Sequence, residues 1–454
     1  MEKELPIGWT ETKLDTIVFQ KKGKKPLKLE PAEFKNSVPY LDIHALEKGI
    51  YRQYADINSS NIMDEDMIAI VWDGARSGWV SKGKYGAIGS TLAALKPIKV
   101  DINYVFYFLQ CNFSLINTNP RGIGIPHVDP TLLWNLSVPL PPLPEQQRIV
   151  AKLDTLFGQL DKIKTHLEHI PQLLKDFRQK VLTQAVTGKL TEEWREGKIL
   201  TGIELKKDKY EVEFEFLETS DFPETWKYVA LGNYAECSRG KFTARPRNDP
   251  QFFEGEYPFM QIGDLPGNGG LFYSYSSTLN EKGKSVSKCF PKGTVVIAIV
   301  GATIGNTGIL EKEVFFPDSL IGINSENPFS NFYIEYFLRF IKYKIRELSY
   351  AGGGQPNIKM PNITNLGIAI PPIEEQQEIV RCVESLFAKA DKIEASYQKL
   401  KEKTEQLPQA ILAKAFRGEL VEQLPTDGDA RDLLEEIKKA KGTIGGKGKK
   451  NKQG

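Results

Sequence analysis

The sequence predicts an α+β protein in which two globular mixed α/β modules are joined by two long helices that form an antiparallel coiled coil. Two observations lead to this fold class. The two halves of the chain form an internal repeat, and each copy of the repeat ends in a heptad pattern of apolar residues. Such a repeat relates the two halves of the chain by a pseudo-two-fold axis, which would set the two helices antiparallel.

The repeat is clearest where two proline-rich segments lead into the helices. PPLPEQQRIVAKLDTLFGQLDKI begins at Pro141, and PPIEEQQEIVRCVESLFAKADKI begins at Pro371. When residues 145–190 are aligned without a gap to residues 375–420, 15 of 46 positions are identical. Upstream the likeness is looser, although a tryptophan recurs near the start of each half (Trp9, Trp226). Two binding modules for different targets would give this pattern, and so would a structural domain that duplicated and drifted neutrally.

Each helical segment carries apolar residues at alternating steps of four and three, the spacing of a coiled-coil seam. Each seam is long enough for about 50 Å of helix. Only one position of the second seam, Thr404, is polar. The seam positions are Ile149, Leu153, Leu156, Leu160, Ile163, Leu167, Ile170, Leu174, Phe177 and Val181 in the first helix, and Ile379, Val383, Leu386, Ala390, Ile393, Tyr397, Leu400, Thr404, Leu407 and Ile411 in the second.

The ends of the two helices are marked by residues with defined backbone preferences. Glu145 favours the positive end of the first helix. Gly188 and Gly418 stand where a left-handed residue would end each helix. Pro171 and Pro408 lie inside the heptad patterns, and we expect a kink or a local break at each.

The repeat and the helices divide the chain into six segments. These are two modules, two spacer helices, a linker and a basic tail that we expect to be flexible, since the last 17 residues carry seven lysines and no acid. The boundaries are 1–140 for the first module, 141–190 for the first helix, 191–222 for the linker, 223–370 for the second module, 371–424 for the second helix and 425–454 for the tail.

Both modules combine short β-rich runs with one aromatic helix. The β-rich runs are bounded by Gly, Asn and Pro turns. We expect strands in residues 67–72, 137–140, 294–300 and 367–370, and helices near residues 103–112 and 332–349.

A basic loop follows the opening tryptophan of each module at a closely similar distance. The first loop begins at Lys21 and the second at Arg239, and neither contains an acid. Matching basic loops fit contacts to phosphates, and arginine can also pair with the edge of guanine. A basic run is otherwise simply a solvated surface. The residues are Lys21, Lys22, Lys24 and Lys25 in the first loop and Arg239, Lys241, Arg245 and Arg247 in the second.

Two further pairs of loops carry polar side chains at matching places. The first pair is a glycine-rich turn after the central strand of each module, where glycine would let a backbone approach a ligand closely. The second pair lies just before the last strand, where Gln and Asn could pair with adenine and Arg with guanine. Each could equally be an ordinary turn. The candidate side chains are Arg76, Ser77 and Thr303 in the turns and Arg121, His127, Gln355, Asn357 and Lys359 in the later loops.

Composition and motifs exclude several classes of protein. The first residues form no secretory signal, and no apolar run is long enough for a membrane span, so we expect a cytoplasmic protein. The four cysteines are scattered, which argues against a zinc site or a disulfide framework. No methyltransferase, phosphate-loop or nucleophile-elbow motif is complete. We therefore expect no catalytic residue, metal or cofactor in this chain.

The paired PPLPEQQ and PPIEEQQ helix starts, together with the endings TGKL and RGEL, resemble the specificity subunits of type I restriction–modification enzymes. The resemblance covers nearly the whole chain. It implies two target-recognition domains that read the halves of a bipartite, asymmetric site in double-stranded DNA. The coiled coil would be the spacer between them, and its length equals roughly 15 base pairs.

The resemblance also implies partner subunits that carry the chemistry. Two methyltransferase subunits would bind S-adenosylmethionine and methylate adenine, and two restriction/translocase subunits would use ATP and magnesium. The alternative is a coiled-coil adaptor that gathers partner proteins without reading bases. The residues assigned to the coiled coil or to partner binding are Gln146, Gln147, Leu153, Leu156, Leu160, Ile163, Gln376, Gln377, Val383, Leu386 and Ile393.

Overall fold

The computed structural model describes residues 5–119, 126–203, 205, 208–350 and 356–447. The chain divides into two compact units, here called unit 1 (residues 1–168 and 399–454) and unit 2 (residues 169–398). Each unit holds one module together with a part of both long helices. Each module thus packs together with segments of both helices.

The module of unit 1 is built from short strands and short helices. Its strands are β1 (Thr10–Lys13), β2 (Val18–Lys22), β3 (Leu29–Glu30), β4 (Ser37–Leu41), β5 (Tyr54–Asp56), β6 (Asn61–Met63), β7 (Ile68–Val71), β8 (Val80–Lys82), β9 (Gly86–Ile88), β10 (Leu92–Pro97) and β11 (Ser137–Leu140). Its helices are α1 (Leu14–Ile17), α2 (Ile43–Lys48), α3 (Ile102–Cys111), α4 (Phe113–Thr118) and α5 (Pro130–Trp134).

Three sheets organise this module. The central sheet has the order β2-β10-β7-β8, a second sheet has the order β3-β5-β4-β9-β6, and β1 pairs with β11 at the exit toward the first long helix. Strand β7 is buried at all four positions, which explains its uninterrupted apolar sequence, because a strand covered on both faces does not alternate. The predicted strands at residues 67–72 and 137–140 are confirmed.

The module of unit 2 follows the same plan. The first long helix, α6 (Leu143–Val186), precedes it. Its helices are α7 (Glu192–Arg195), α8 (Leu231–Tyr234), α9 (Glu281–Ser285), α10 (Pro328–Phe340), α11 (Lys342–Tyr350) and α12 (Met360–Thr364). Its strands are β12 (Lys227–Ala230), β13 (Glu236–Arg239), β14 (Phe253–Phe259), β15 (Leu271–Phe272), β16 (Ser277–Leu279), β17 (Cys289–Phe290), β18 (Val295–Ala298), β19 (Thr307–Leu310), β20 (Val314–Phe315), β21 (Leu320–Asn324) and β22 (Gly367–Ile370).

The sheets of unit 2 repeat those of unit 1. The order β13-β21-β18-β19-β15 matches the central sheet of unit 1 with one strand added, and β12 pairs with β22 as β1 pairs with β11. A further sheet has the order β16-β14-β20-β17. The predicted strands at residues 294–300 and 367–370 are confirmed, and the two modules share one fold.

The aromatic helix of each module is fixed to the strand that leads into the long helix. The Tyr104 hydroxyl on α3 donates to the Pro139 carbonyl at 2.5 Å, and the Tyr333 hydroxyl on α10 donates to the Ala369 carbonyl at 2.6 Å. Both tyrosines are fully buried. The second aromatic helix, predicted as one helix over residues 332–349, is two helices, because the chain turns at Ile341 between α10 and α11.

The long helices α6 and α13 (Ile373–Ala415) run through Pro171 and Pro408 without interruption. Of the kink or local break predicted at each proline, the break does not occur, because a proline removes only one backbone donor and the helix continues on both sides of it. Gly188 and Gly418 follow the helices with φ of 71° and 70°, which confirms them as left-handed residues just beyond the helix ends.

Within each unit, α6 and α13 pack against each other in opposite directions. In unit 1 the core contains Leu153 from the start of α6 and Leu412 from the end of α13. In unit 2 the core contains Val181 from the end of α6 and Val383 from the start of α13. The antiparallel arrangement predicted from the repeat is confirmed.

The predicted basic tail is largely a packed helix. Helix α14 (Ala430–Lys447) buries Ala430 and Ile437 completely in the core of unit 1. Its exposed side is tied to the same module, because Lys99 Nζ lies 2.7 Å from Glu436 Oε2. The prediction of a flexible tail is therefore wrong for this helix, whose Leu and Ile side chains outweigh its lysines. The predicted linker also packs, since Leu217 is buried in the core of unit 2.

Replacing Ile437 with alanine should show that α14 belongs to the fold of unit 1. The lost methyl groups and the cavity left behind should destabilise the protein by about 2–4 kcal/mol. Urea unfolding followed by tryptophan fluorescence measures this loss. The neighbouring exposed Lys438→Ala should change stability by less than about 0.5 kcal/mol, and equal effects of the two changes would contradict the docking of α14.

Candidate nucleic-acid interface and partner surface

The glycine-rich turn and the later loop of each module lie side by side. In unit 1, Asp73 and His127 form an isolated β-bridge, and His127 Nδ1 lies 2.6 Å from Asp73 Oδ1. In unit 2, Val300 and Asn357 form the equivalent bridge, and the Asn357 side chain is exposed. Two loops that are far apart in sequence thus form one surface at the same place in each module.

One lysine of the first basic loop lies close to this surface. Lys22 Nζ lies 5.8 Å from the ring centroid of Trp72, the residue before Asp73. Lys21 Nζ donates to the Ile62 carbonyl at 2.9 Å. Lys24 and Lys25 are exposed, and neither side chain makes a hydrogen bond or ion pair within the described ranges. These two lysines are therefore the cations of this loop most available to a phosphate.

Two arginines of the second basic loop contact the same residue, Asp318, one at its backbone carbonyl and the other at its carboxylate. Arg239 Nε donates to the Asp318 carbonyl at 2.6 Å, and Arg247 Nη2 lies 2.9 Å from Asp318 Oδ2. Arg245 Nη1 donates to the carbonyls of the loop itself. Lys241 is exposed. The loop has no acid in its sequence, but the structure supplies Asp318, which lowers its net positive charge and holds two guanidinium groups in place.

The turn residues differ in their access to a ligand. Arg76 is half-exposed and pairs with Glu47 at 3.3 Å. Ser77 is fully buried and its hydroxyl has no hydrogen-bond partner among the described residues, so the prediction that it contacts DNA is wrong: the turn folds its side chain into the module. Thr303 is partly exposed and Lys359 is exposed. Two further candidates, Arg121 and Gln355, lie outside the described residues.

The start of each long helix is fixed by a buried carboxylate that accepts from a tryptophan. Trp9 Nε1 donates to Glu145 Oε2 at 2.9 Å, and Trp226 Nε1 donates to Glu375 Oε2 at 2.9 Å. Burial raises the pKa of Glu145, while the hydrogen bonds from Gln423 and Trp9 oppose that shift. The tryptophan that recurs in the sequence thus joins each module to its own helix.

The first glutamine of each EQQ motif is structural. Gln146 and Gln376 are fully buried, and their amide nitrogens donate to the carbonyls of Pro141 at 2.9 Å and Pro371 at 2.7 Å. Assignment of these two side chains to partner binding is therefore wrong, because each turns inward to its own module. Gln147 and Gln377 are exposed on the helices.

The predicted seam separates into a buried row and an open row. Leu153, Leu160 and Val383 are buried, and Leu156 and Leu386 are partly buried.

On the other row, Ile163 and Ile393 are 41% and 53% exposed, so their assignment to the interface between the two helices is wrong. The remaining exposed members of that row are Phe177, Leu400 and Leu407. Each helix therefore presents an apolar row that its partner helix leaves uncovered.

Sequence reasoning missed the tyrosines that join each module to the first third of its helix. The Tyr107 hydroxyl donates to Asp154, and the Tyr336 hydroxyl donates to Glu384 at 2.7 Å. The two acids, Asp154 and Glu384, stand at matching positions of the repeat. The recurrence of an acid at this position is the sequence feature that could have predicted the contact. Burial, followed by the hydrogen bond to Asp154, raises the pKa of Tyr107.

Within the described part of the chain, no group of three or more His, Cys, Asp or Glu side chains is placed to hold a metal ion. The helices that the structure describes include none that is both long enough and apolar enough to cross a membrane.

Two modules of one fold, each presenting different side chains at the same loops, define a duplicated recognition protein. The family model of the type I restriction modification DNA specificity domain matches residues 6–172 and again residues 223–402. The chain therefore belongs to the family of type I restriction–modification specificity subunits.

Two curated relatives from Escherichia coli illustrate the likeness. The type I restriction enzyme EcoDI specificity subunit is 27% identical over 98% of both chains. The EcoBI specificity subunit is 31% identical over 77% of this chain and 74% of the relative. The fold is that of the HsdS subunit from Thermoanaerobacter tengcongensis, with a TM-score of 0.60 and 19% identity over 92% of this chain and 99% of that one.

The start of α6 provides a test through the pH dependence of stability. Both Nη atoms of Arg148 lie within 2.7 Å of the Asp427 carboxylate oxygens. The hydrogen bonds from Arg148 lower the pKa of Asp427 from its usual 3.8. Stability from this pair is therefore fully present above pH 3.8 and is lost as the pH falls through the lower, folded-state pKa.

Arg148→Gln should destabilise unit 1 by about 1–2 kcal/mol at pH 6, because a charged hydrogen-bonded pair is removed. The difference from the wild type should shrink below pH 3.8, which urea unfolding at pH 3–6 would measure. Arg417→Gln, in an exposed pair with Glu419, should cost less than about 0.5 kcal/mol. A pH-independent cost of Arg148→Gln would show that the pair does not act through the charge of Asp427.

Proposed function

We propose that this chain is the sequence-reading subunit of a type I restriction–modification complex. The observation that carries the proposal is one fold presented twice, with different polar side chains at the same surface loops. Each module would read one half of a bipartite, asymmetric site in double-stranded DNA, with a non-specific gap between the halves. The long helices would set the spacing between the two half-sites.

Candidate reading groups differ in kind between the modules. In unit 1, Lys24 and Lys25 would contact phosphates, with Arg76 and His127 closer to the turn. In unit 2, the arginines around Asp318 are held in fixed directions, which favours bidentate pairing with guanine over loose phosphate contacts. Asn357 would pair with adenine. Since the two sets differ, the two half-sites would differ in sequence.

The open apolar row of the helices would be the docking surface for partner subunits. Apolar side chains such as Ile163 and Ile393 lie exposed, and uncovered rows of this kind favour burial against another protein. We propose two methyltransferase subunits there, which would bring S-adenosylmethionine and methylate adenine, and two restriction/translocase subunits, which would bring ATP and magnesium. The chain itself would bind DNA and carry no catalytic group.

Removing two lysines should test the DNA contact in unit 1. Lys24→Ala with Lys25→Ala should weaken DNA binding by the assembled complex and flatten the slope of log K against log salt by about 1–2, because each phosphate contact contributes about 0.9. Fluorescence anisotropy at several salt concentrations measures both quantities. Lys13→Ala serves as the control, since its Nζ is bonded to Asn135 Oδ1 at 2.8 Å in the same module. An unchanged slope would remove this loop from the interface.

Exchanging a module should test whether each module reads its own half of the DNA site. Replacing residues 1–140 with the corresponding module of another specificity subunit should change only one half of the methylated site, because the second module is left intact. Sequencing that detects adenine methylation gives the site directly. Complexes lacking this chain should lose site-specific methylation, and the chain alone should transfer no methyl group. A change in both halves, or in neither, would contradict two independent readers.

A further inference from the structure

Unit 1 contains an open pocket where its module meets the two long helices. The cavity has a volume of about 430 Å³. The residues that line it include Tyr107, Phe157, Asp161, Lys164, Pro408 and Leu412. None of the loops assigned to DNA contributes to it. The pocket combines an aromatic face with a carboxylate, the two features that recognise a cation.

The equivalent place in unit 2 is identified by the internal repeat. In the gapless alignment of the two copies, Phe157 and Asp161 correspond to Phe387 and Asp391, and the counterpart of Pro408 is Arg178. Two contacts confirm the match at the level of atoms. A tyrosine of the aromatic helix donates to an acid of the long helix in both units. A glutamine of the other helix (Gln409, Gln179) lies 3.4 Å from a carbonyl at the end of that aromatic helix.

In unit 2 this place is filled by the chain's own guanidinium group. The Arg178 guanidinium lies 5.7 Å from the ring centroid of Phe387. Its Nη2 is 2.8 Å from both Asp391 Oδ1 and Glu394 Oε2. A second guanidinium, that of Arg339, lies 5.0 Å from the same ring. Phe387 is consequently buried. This place in unit 2 therefore holds a guanidinium group that lies beside the phenylalanine ring and pairs with two carboxylates.

In unit 1 the receiving groups remain and the guanidinium is missing. Pro408 replaces Arg178, and Gln110, three residues after Tyr107, stands where unit 2 has Arg339, three residues after Tyr336. Phe157 is partly exposed, and Asp161 is exposed with no side-chain hydrogen bond or ion pair among the residues described. Lys164 stands where unit 2 has Glu394, so one carboxylate is left instead of two. The open site should therefore bind a cation more weakly than the filled one.

The geometry points to a docking site for an arginine side chain of a partner protein, stacked on Phe157 and paired with Asp161. Arginine is favoured over lysine, because the matching ring in unit 2, that of Phe387, lies beside two guanidinium groups and a planar guanidinium can stack on an aromatic ring. The site would make the two ends of the helix pair unequal, since only unit 1 can accept the side chain. The inference rests on the proposed docking role of the helices, but its test needs no partner subunit.

Binding of a small arginine probe to the full-length chain tests the site. Saturation-transfer difference NMR with acetyl-Ala-Arg-Ala-amide should show contact of the arginine side chain, and the isosteric citrulline peptide should show little. Pro408→Arg, which supplies the guanidinium that unit 2 carries, should abolish the signal. Phe157→Leu and Asp161→Asn should each weaken binding at least about threefold, as the loss of one cation–π contact or ion pair predicts. Asp391→Asn, the matched change at the filled site, should leave binding unchanged.

Equal signals from the arginine and citrulline peptides, or an unaltered signal in Asp161→Asn, would overturn the inference. Circular dichroism melting of each variant separates loss of the site from loss of the fold. If the Pro408→Arg variant does not fold, the test of the inference rests on Asp161→Asn, a change at an exposed residue. If the arginine peptide does not bind but the complex still assembles and binds DNA, only the inference about this pocket fails. Failure of the wild-type chain to assemble would instead remove the proposed function.

Discussion

The arrangement of each unit depends on one buried carboxylate at the start of a long helix. Glu145 and Glu375 are both buried, and a carboxylate in that position is costly unless its oxygens accept hydrogen bonds. One oxygen accepts from the module's tryptophan. In unit 1 the other oxygen of Glu145 accepts from Gln423, in the segment after α13, at 3.1 Å. In unit 2 the other oxygen of Glu375 accepts from Arg195, in the segment after α6, at 3.1 Å. Three parts of the chain are thus joined at one side chain, and none can shift without exposing an unpaired acid.

The same scaffold carries surfaces that have diverged at the exposed loops. The contacts that fix a module to its helix recur in both units: tryptophan to glutamate, tyrosine to carbonyl, tyrosine to acid. The side chains at the loops do not recur. Even on the scaffold, one exchange of Arg178 for Pro408 leaves a site filled in one unit and open in the other. A duplication that had drifted without constraint would not keep the buried contacts so complete while changing the exposed residues so fully.

Sequence periodicity predicted the repeat, the helices, the central strands and the left-handed glycines, since each is set by local pattern or by identity between the halves. It failed where burial depends on tertiary partners. Ser77 and Gln146 are polar, so the sequence favoured exposed roles, whereas the fold turns both inward. Ile163 is apolar and lies at a heptad position, yet a pair of helices buries only one of the two apolar rows on each helix, and Ile163 lies on the other. The many lysines near the end of the chain led to the prediction of a flexible tail in place of helix α14. Composition alone does not reveal that Ile437 packs into the core of unit 1.

Different residues hold the start of the long helix to the module in the two units. This difference limits how the modules can be exchanged. In unit 1 the start of α6 is held by Arg148 and the chain beyond α13, with α14 packed on the module. In unit 2 the equivalent residue, Glu378, pairs locally with Arg381, and the linker covers the module instead. A transplanted first module must therefore keep the surfaces that receive α14, as well as its tryptophan and tyrosines. The loops around Asp73 and His127, which we propose to read DNA, contribute no residue to these contacts, so their side chains can change while the module stays joined to its helix.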